Sequence, residues 1–267
     1  MSGLRRRGVG RGRAGGGVLV AVLGLLGWTA ALGAAGAACA PGGFAVALDV
    51  GHERARPGAI SARGVPEFEL NLALAQTVLA ALRAAGFARA FLIGESGAPL
   101  ALRERPRAAA RGGAELLISL HHDSVQERYL EPWSFAGRLR DHTTHAQGFS
   151  LFVSAENRLF EASRALAVAI GAALRAAGRR PSIHHGEPIA GESRPVIDAA
   201  RGVYRFDQLA VLRAAAMPAV LLEAGVIKHR EEELVVASAA FRAEVAAAVL
   251  SAALRACAGA LAGAATD

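Results

Sequence analysis

Apolar positions along this chain recur with two different spacings, and each spacing predicts its own elements. Phe44–Val50 is a short apolar run stopped by Gly51, which predicts a buried strand. Between Pro66 and Ala85, the residues Phe68, Leu72, Ala75, Leu79 and Leu82 fall on one helical face. Pro66 suits the first turn of that helix and Gly86 its C-terminal stop. Ala90–Ile93 predicts a second strand, Leu100–Arg111 a helix that Pro106 delays or kinks, and Glu115–Leu120 a third strand running into His121. Residues 122–147 read as polar and irregular. Phe149–Ser154 predicts a strand, Arg158–Ala177 a long amphipathic helix, and Arg179–Asp207 a loop. Ala219–Glu223 is a further strand after Met217-Pro218, and the chain from Glu231 is helical through the alanine-rich Ala239–Ala262. Strands that alternate with helices predict an α/β fold: one domain over 44–262, with a largely parallel twisted sheet flanked by helices.

The first 38 residues follow another pattern. Arg5, Arg6, Arg7, Arg11 and Arg13 precede an uncharged stretch from Val18 to Ala38, closed by Ala35-Gly36-Ala37-Ala38. Basic, then apolar, then small is the order of a secretory signal peptide, so the expected protein is exported to the periplasm or cell envelope. An uncleaved anchor is the alternative, which the abundance of Gly and Ala disfavours. Gly36-Ala37-Ala38-Cys39 also resembles a bacterial lipobox, with Gly where Leu is usual, so a lipid anchor at Cys39 stands beside plain cleavage near Ala37. Cys39 and Cys257 are too few for a disulfide framework or a multi-cysteine zinc site.

Composition excludes some classes. The 267 residues are 53% hydrophobic and 20% charged, which rules out a disordered or fibrous chain. A net charge of +7 suggests nucleic acid until its location is considered. Five arginines and no acids precede Cys39, so the remainder carries +2 (7 − 5). With no helix-turn-helix, zinc-finger or aromatic-basic strand signature, nucleic acid is not an expected partner.

Three predicted strands end in ionisable residues: Asp49-Val50-Gly51-His52, Ser119-Leu120-His121 and Leu221-Leu222-Glu223. In open α/β sheets functional groups gather at such ends. Two strand-end histidines suit a divalent metal, and Glu67, in the first turn of the helix after the His52 loop, can complete the set. Three protein ligands with an open fourth position describe a catalytic zinc site, and an unligated Glu223 then suits a general base.

The same residues carry a resemblance. Asp49-Val50-Gly51-His52 with Pro57-Gly58-Ala59, Glu67 to Leu72, Ser119-Leu120-His121, and Pro218 to Gly225 resemble, in order, the motifs of the zinc-dependent N-acetylmuramoyl-L-alanine amidases of bacterial cell walls. Arg201-Gly202-Val203 and Val211-Leu212-Arg213 extend it, so that it covers about residues 44–255. The resemblance implies zinc held by His52, Glu67 and His121, with Glu223 catalytic. It also implies peptidoglycan as substrate, cut at the amide between N-acetylmuramic acid and L-alanine. Another exported zinc amide or ester hydrolase, or a non-catalytic peptidoglycan-binding protein, are the alternatives; a protein activator is unknown.

Departures from the family pattern are local. His122-Asp123-Ser124 replaces a small-Asn-small stretch, and Glu53-Arg54-Ala55-Arg56 fills a loop where glycines are usual. Adjacent strand residues point to opposite faces, so His121 and His122 are not expected to share a metal. His122 is read as a residue of the fold, with support of the ligands as its alternative, Asp123 as one that can orient a ligand imidazole, and Glu69, the competing candidate for ligand, as an exposed first-turn acid. Val125–Gln147, with Tyr129, Trp133, Phe135, His142 and His145, reads equally as a cleft lid and as an ordinary surface loop. His184 and His185, in a loop, are left out of the site.

Overall fold

Period-two alternation divides the strand residues between two helical layers. In β1 (Val46–Val50), Val46, Leu48 and Val50 join one core and Ala47 the other. β3 (Leu116–Asp123) sends Leu116, Ile118 and Leu120 to the first and Leu117 to the second. β9 (Ala219–Val226) sends Val220, Leu222 and Ala224 to the first, and Ala219 and Leu221 to the second. The first core is covered by α1 (Glu67–Ala84), α3 (Phe160–Ala176) and α6 (Ala239–Cys257), and the second by α2 (Glu104–Arg111) and α4 (Ala210–Arg213). Strands buried on both faces read as near-continuous apolar runs, which is why the sequence betrays them.

This is a computed structural model that describes residues 39–261; the expected signal segment 1–38 lies outside the described residues. With β2 (Phe91–Ile93), β6 (Ser150–Val153), β7 (Val196–Asp198) and β8 (Val203–Arg205), the sheet has seven strands in the order β2-β1-β3-β9-β6-β8-β7. Four neighbouring pairs are parallel; β6 runs antiparallel to β9, and β7 to β8. The single α/β domain with a largely parallel sheet is therefore as the alternation predicts.

Four regions differ from the sequence expectation. The Leu100–Arg111 helix begins only at Glu104, which leaves Pro106 in its first turn, where its missing N–H costs no helical bond. Residues 122–147 hold the end of β3 and a hairpin of β4 (Glu131–Phe135) and β5 (Arg138–His142), turning at Ala136-Gly137, both with positive φ. The hairpin's aromatics pack on the domain. Trp133 donates its indole N–H to Ala62 O at 3.0 Å and stacks with Phe135, while Arg63 and Arg230 lie over its ring. The Arg179–Asp207 stretch contains β7 and β8, too short to show a period. The C-terminal helical region breaks after α5 (Arg230–Val236), where Ser238 caps α6 by accepting from Phe241 N.

Cys39 and Cys257 form a disulfide that joins the segment before β1 to the last residue of α6. The lipid anchor that stood as one alternative at Cys39 finds no support in this arrangement. One Sγ cannot carry both a disulfide and a thioether-linked lipid, and here it is bonded to Cys257.

Candidate metal centre

Strand register brings the strand-end residues together. His121 on β3 pairs with Glu223 on β9, and Asp49 on β1 with Ser119 on β3. By the alternation above, Asp49, Ser119, His121 and Glu223 all take the side of the second core, whereas His122 takes the side of α1. His52 follows β1 with a φ of 68°, a left-handed conformation uncommon for a residue with a Cβ. Arg105 holds that turn: its buried guanidinium reaches Asp49 Oδ1 at 2.7 Å, Val50 O, and His52 O at 2.6 Å. Asp49 also accepts from Ser119 Oγ at 2.7 Å. The aspartate of the Asp-x-Gly-His stretch thus anchors the turn through Arg105.

Glu67, Asn71 and His122 form the other wall. Glu67 is 4% exposed, with His52 Nε2 at 3.0 Å from its Oε2 and His121 Nδ1 at 3.1 Å from its Oε1. Ligand atoms of His52, Glu67 and His121 lie within 4.8 Å of one another, so the three could hold a metal ion. Two glycines make room for them. A methyl on Gly51 would enter the His121 ring, and one on Gly58 would strike Glu67 Oε2 and the His52 ring. Burial raises the Glu67 carboxyl, but hydrogen bonds and charge from His121 and His52 outweigh it and hold the group well below the usual range. Asn71 Nδ2 donates to Glu67 Oε1 at 3.1 Å, and His122 Nδ1 meets Asn71 Oδ1 at 2.8 Å. His122 therefore props the residue that props Glu67, which is the supporting role beside the ligands that stood as the alternative to a role in the fold alone. Glu69 is the exposed acid anticipated, paired with Arg54 at 2.7 Å.

Burial lowers His122 to about 4. A histidine unfolded near 6.5 and folded near 4 leaves the unfolded chain with more protons between those values. Stability of the metal-free protein should therefore fall as pH drops through that window, with His122 contributing on the order of 3 kcal/mol. Urea midpoints from pH 7 to 4 check this: His122→Gln should show a shallower decline than wild type, and parallel declines would refute it.

Glu223 differs from Glu67 in its partners and in the direction of its net shift. Its Oε2 is sealed from solvent with no hydrogen-bond partner among the described residues. Burial pushes its carboxyl well above the ordinary value, and the charges of Asp123 and Glu67 push the same way. On one side of the centre opens a cleft of about 510 Å³, lined by His52, Glu53, Arg56, Leu100, Leu102, Arg105 and His121. On the other, Glu223 shares a small pocket with Phe152, His185, Arg194 and Phe206.

His184 and His185, left out on sequence grounds, are buried beside Asp123. Asp123 meets His185 Nε2 at 2.8 Å, so its carboxylate serves these loop histidines instead of the His121 ring. Burial opposes a charge on His185, but Asp123 and Glu192 outweigh it and push the imidazole up to about 9. The cue in the sequence was indirect: an acid two residues past a strand-end histidine and a His-His pair, far apart along the chain.

The family model for N-acetylmuramoyl-L-alanine amidase matches residues 46–255. A probable N-acetylmuramoyl-L-alanine amidase AmiB from Haemophilus influenzae is 27% identical over 217 residues, which is 75% of this chain and 49% of that protein. The chain thus spans about half the length of this curated relative. Among solved structures, the amidase Ami1 of Mycobacterium smegmatis aligns with a TM-score of 0.63 at 20% identity, over 82% of this chain and 98% of its own. AmiC2 of Nostoc punctiforme aligns at 0.57 and 23% identity, over 79% and 96%. These two share the fold. The match over most of the sheet and its helices, with the paired strand ends inside it, shows that the chain belongs to the N-acetylmuramoyl-L-alanine amidase family.

Proposed function

We propose that this domain hydrolyses the amide bond between N-acetylmuramic acid and L-alanine in peptidoglycan, with His52, Glu67 and His121 holding a zinc ion and Glu223 moving the proton. One observation carries the reading. Two imidazoles and a buried carboxylate converge in a cradle kept open by Gly51 and Gly58, one register step from a carboxylate with a bare oxygen. Zinc, when bound, acts as a Lewis acid on the scissile carbonyl and lowers the pKa of water.

The chain's own residues do the rest. Glu67, kept ionised by both histidines, supplies the negative charge that favours a dication. Asn71 and Arg105 fix the two walls on either side of it. Glu223 sits across the register from His121, and its raised affinity for protons suits both taking one from the attacking water and returning it to the departing amine of L-alanine. The open cleft along Arg56, Leu100 and Leu102 gives a glycopeptide access from one side.

Export is part of the proposal. A disulfide joining residues 218 positions apart fits an oxidising compartment, in line with the basic-apolar-small N-terminus. Digestion of purified peptidoglycan tests the activity. Stem peptides beginning with L-alanine should appear with the wild type and vanish, together with the zinc equivalent held at this centre, in His121→Ala. Binding to sacculi without products would favour a non-catalytic protein. Cleavage of a different amide or ester would favour another hydrolase on this scaffold.

A further inference from the structure

A second buried cluster has the construction of a metal site. Asp123, His184 and His185 are 8%, 4% and 8% exposed. His185 Nε2 lies 2.8 Å and His184 Nε2 3.5 Å from the same oxygen, Asp123 Oδ2, and the three ligand atoms fall within 4.8 Å of one another. In both rings the other nitrogen is already engaged. His184 Nδ1 meets Ser182 Oγ at 2.8 Å, and His185 Nδ1 meets Glu192 Oε2 at 3.0 Å. Such an outer partner on the far nitrogen fixes tautomer and ring orientation, as it does for metal-bound histidines. Both Nε2 atoms are thereby aimed at one carboxylate.

His184 Nε2 is the atom that singles out this cluster. It is buried and has no hydrogen-bond partner among the described residues, whereas buried polar atoms are nearly always paired. A proton shared by Asp123 and His185 satisfies those two groups and leaves His184 Nε2 without a hydrogen bond, with only its 3.5 Å approach to Asp123 Oδ2. A cation satisfies all three together. We infer that Asp123, His184 and His185 form a second site, for a divalent transition-metal ion of the zinc class, separate from the His52–Glu67–His121 centre. Two imidazoles with one carboxylate are a donor set that suits such an ion.

The site links two distant parts of the chain. Asp123 ends β3 beyond the irregularity that follows His121, and the histidines come from the loop between α3 and β7. A bound ion would fasten that loop to the end of the sheet. His185 and Arg194, both from this loop, line the same small pocket as Glu223, so the ion would also fix one wall beside it. The inference does not depend on which bond the enzyme cleaves.

Zinc counting tests it without an activity assay. The full chain, stripped by a chelator that is then removed, should take up two equivalents of Zn²⁺, read by elemental mass spectrometry after gel filtration. His184→Gln should take up one. Nitrogen NMR of histidine-labelled wild type reads the same event with no substitution, so it stands even if the variant fails to fold. The side-chain nitrogen signals of His184 and His185 should move in addition to those of His52 and His121. A single equivalent in the wild type, two equivalents retained by a folded His184→Gln, or unmoved His184 and His185 signals would each overturn the inference. The cluster would then be an ion pair between Asp123 and a protonated His185.

Discussion

Glutamine in place of Glu223 should slow release of stem peptides from peptidoglycan by about 10²–10⁴-fold, the usual contribution of general acid–base catalysis, while zinc content stays at the wild-type level. The two halves of that result come from different parts of the geometry. Glu223 contacts neither His52 nor Glu67 by hydrogen bond, and the atoms that could hold the metal belong to His52, Glu67 and His121. Its Oε2 has no donor within the described residues, so the amide of glutamine replaces it without breaking an existing pair. What glutamine cannot do is accept and return a proton. The loss should therefore fall on kcat and leave KM within a few-fold. The single-turnover rate on a defined muropeptide, beside elemental analysis of both proteins, measures both halves. Equal rates would remove Glu223 from the mechanism; loss of zinc in the variant would make it a ligand.

How far this centre could be read from the sequence depended on whether each residue followed a local rule. His121 and Glu223 end apolar runs that are buried on both faces, and such runs show themselves directly. Period-two alternation by itself places His121 and His122 on opposite faces. The positions that escaped depend on distant partners. Arg105 carries no local signature in its helix, yet it holds the His52 turn from 53 residues away. His184 and His185 gain their meaning only from Asp123, 62 residues back for His185, and no periodicity connects a loop to a strand end. The hairpin of residues 131–142 was missed because its strands are mostly exposed and carry too few apolar residues to alternate.

Replacing Cys257 by serine should cost on the order of 5 kcal/mol, because the lost cross-link closes 218 residues of chain and restrains the unfolded state accordingly. For a domain of this size that corresponds to a fall in Tm of roughly 10–20 °C. Native packing contributes little to the difference: both sulfurs lie at the edge of the first core, partly buried, and serine fills nearly the same space. Wild type melted in a reductant should accordingly match Cys257→Ser melted without one. The same bond ties stability to compartment, since it persists only where thiols are oxidised. Alkylation of protein taken from the cell envelope and mass spectrometry then separate the two fates of Cys39. With the disulfide in place, no thiol reacts before reduction and two react afterwards. A lipid on Cys39 would instead leave Cys257 reactive from the start and the N-terminal peptide heavier by its acyl chains. That pattern would set aside the disulfide and the predicted loss of stability together.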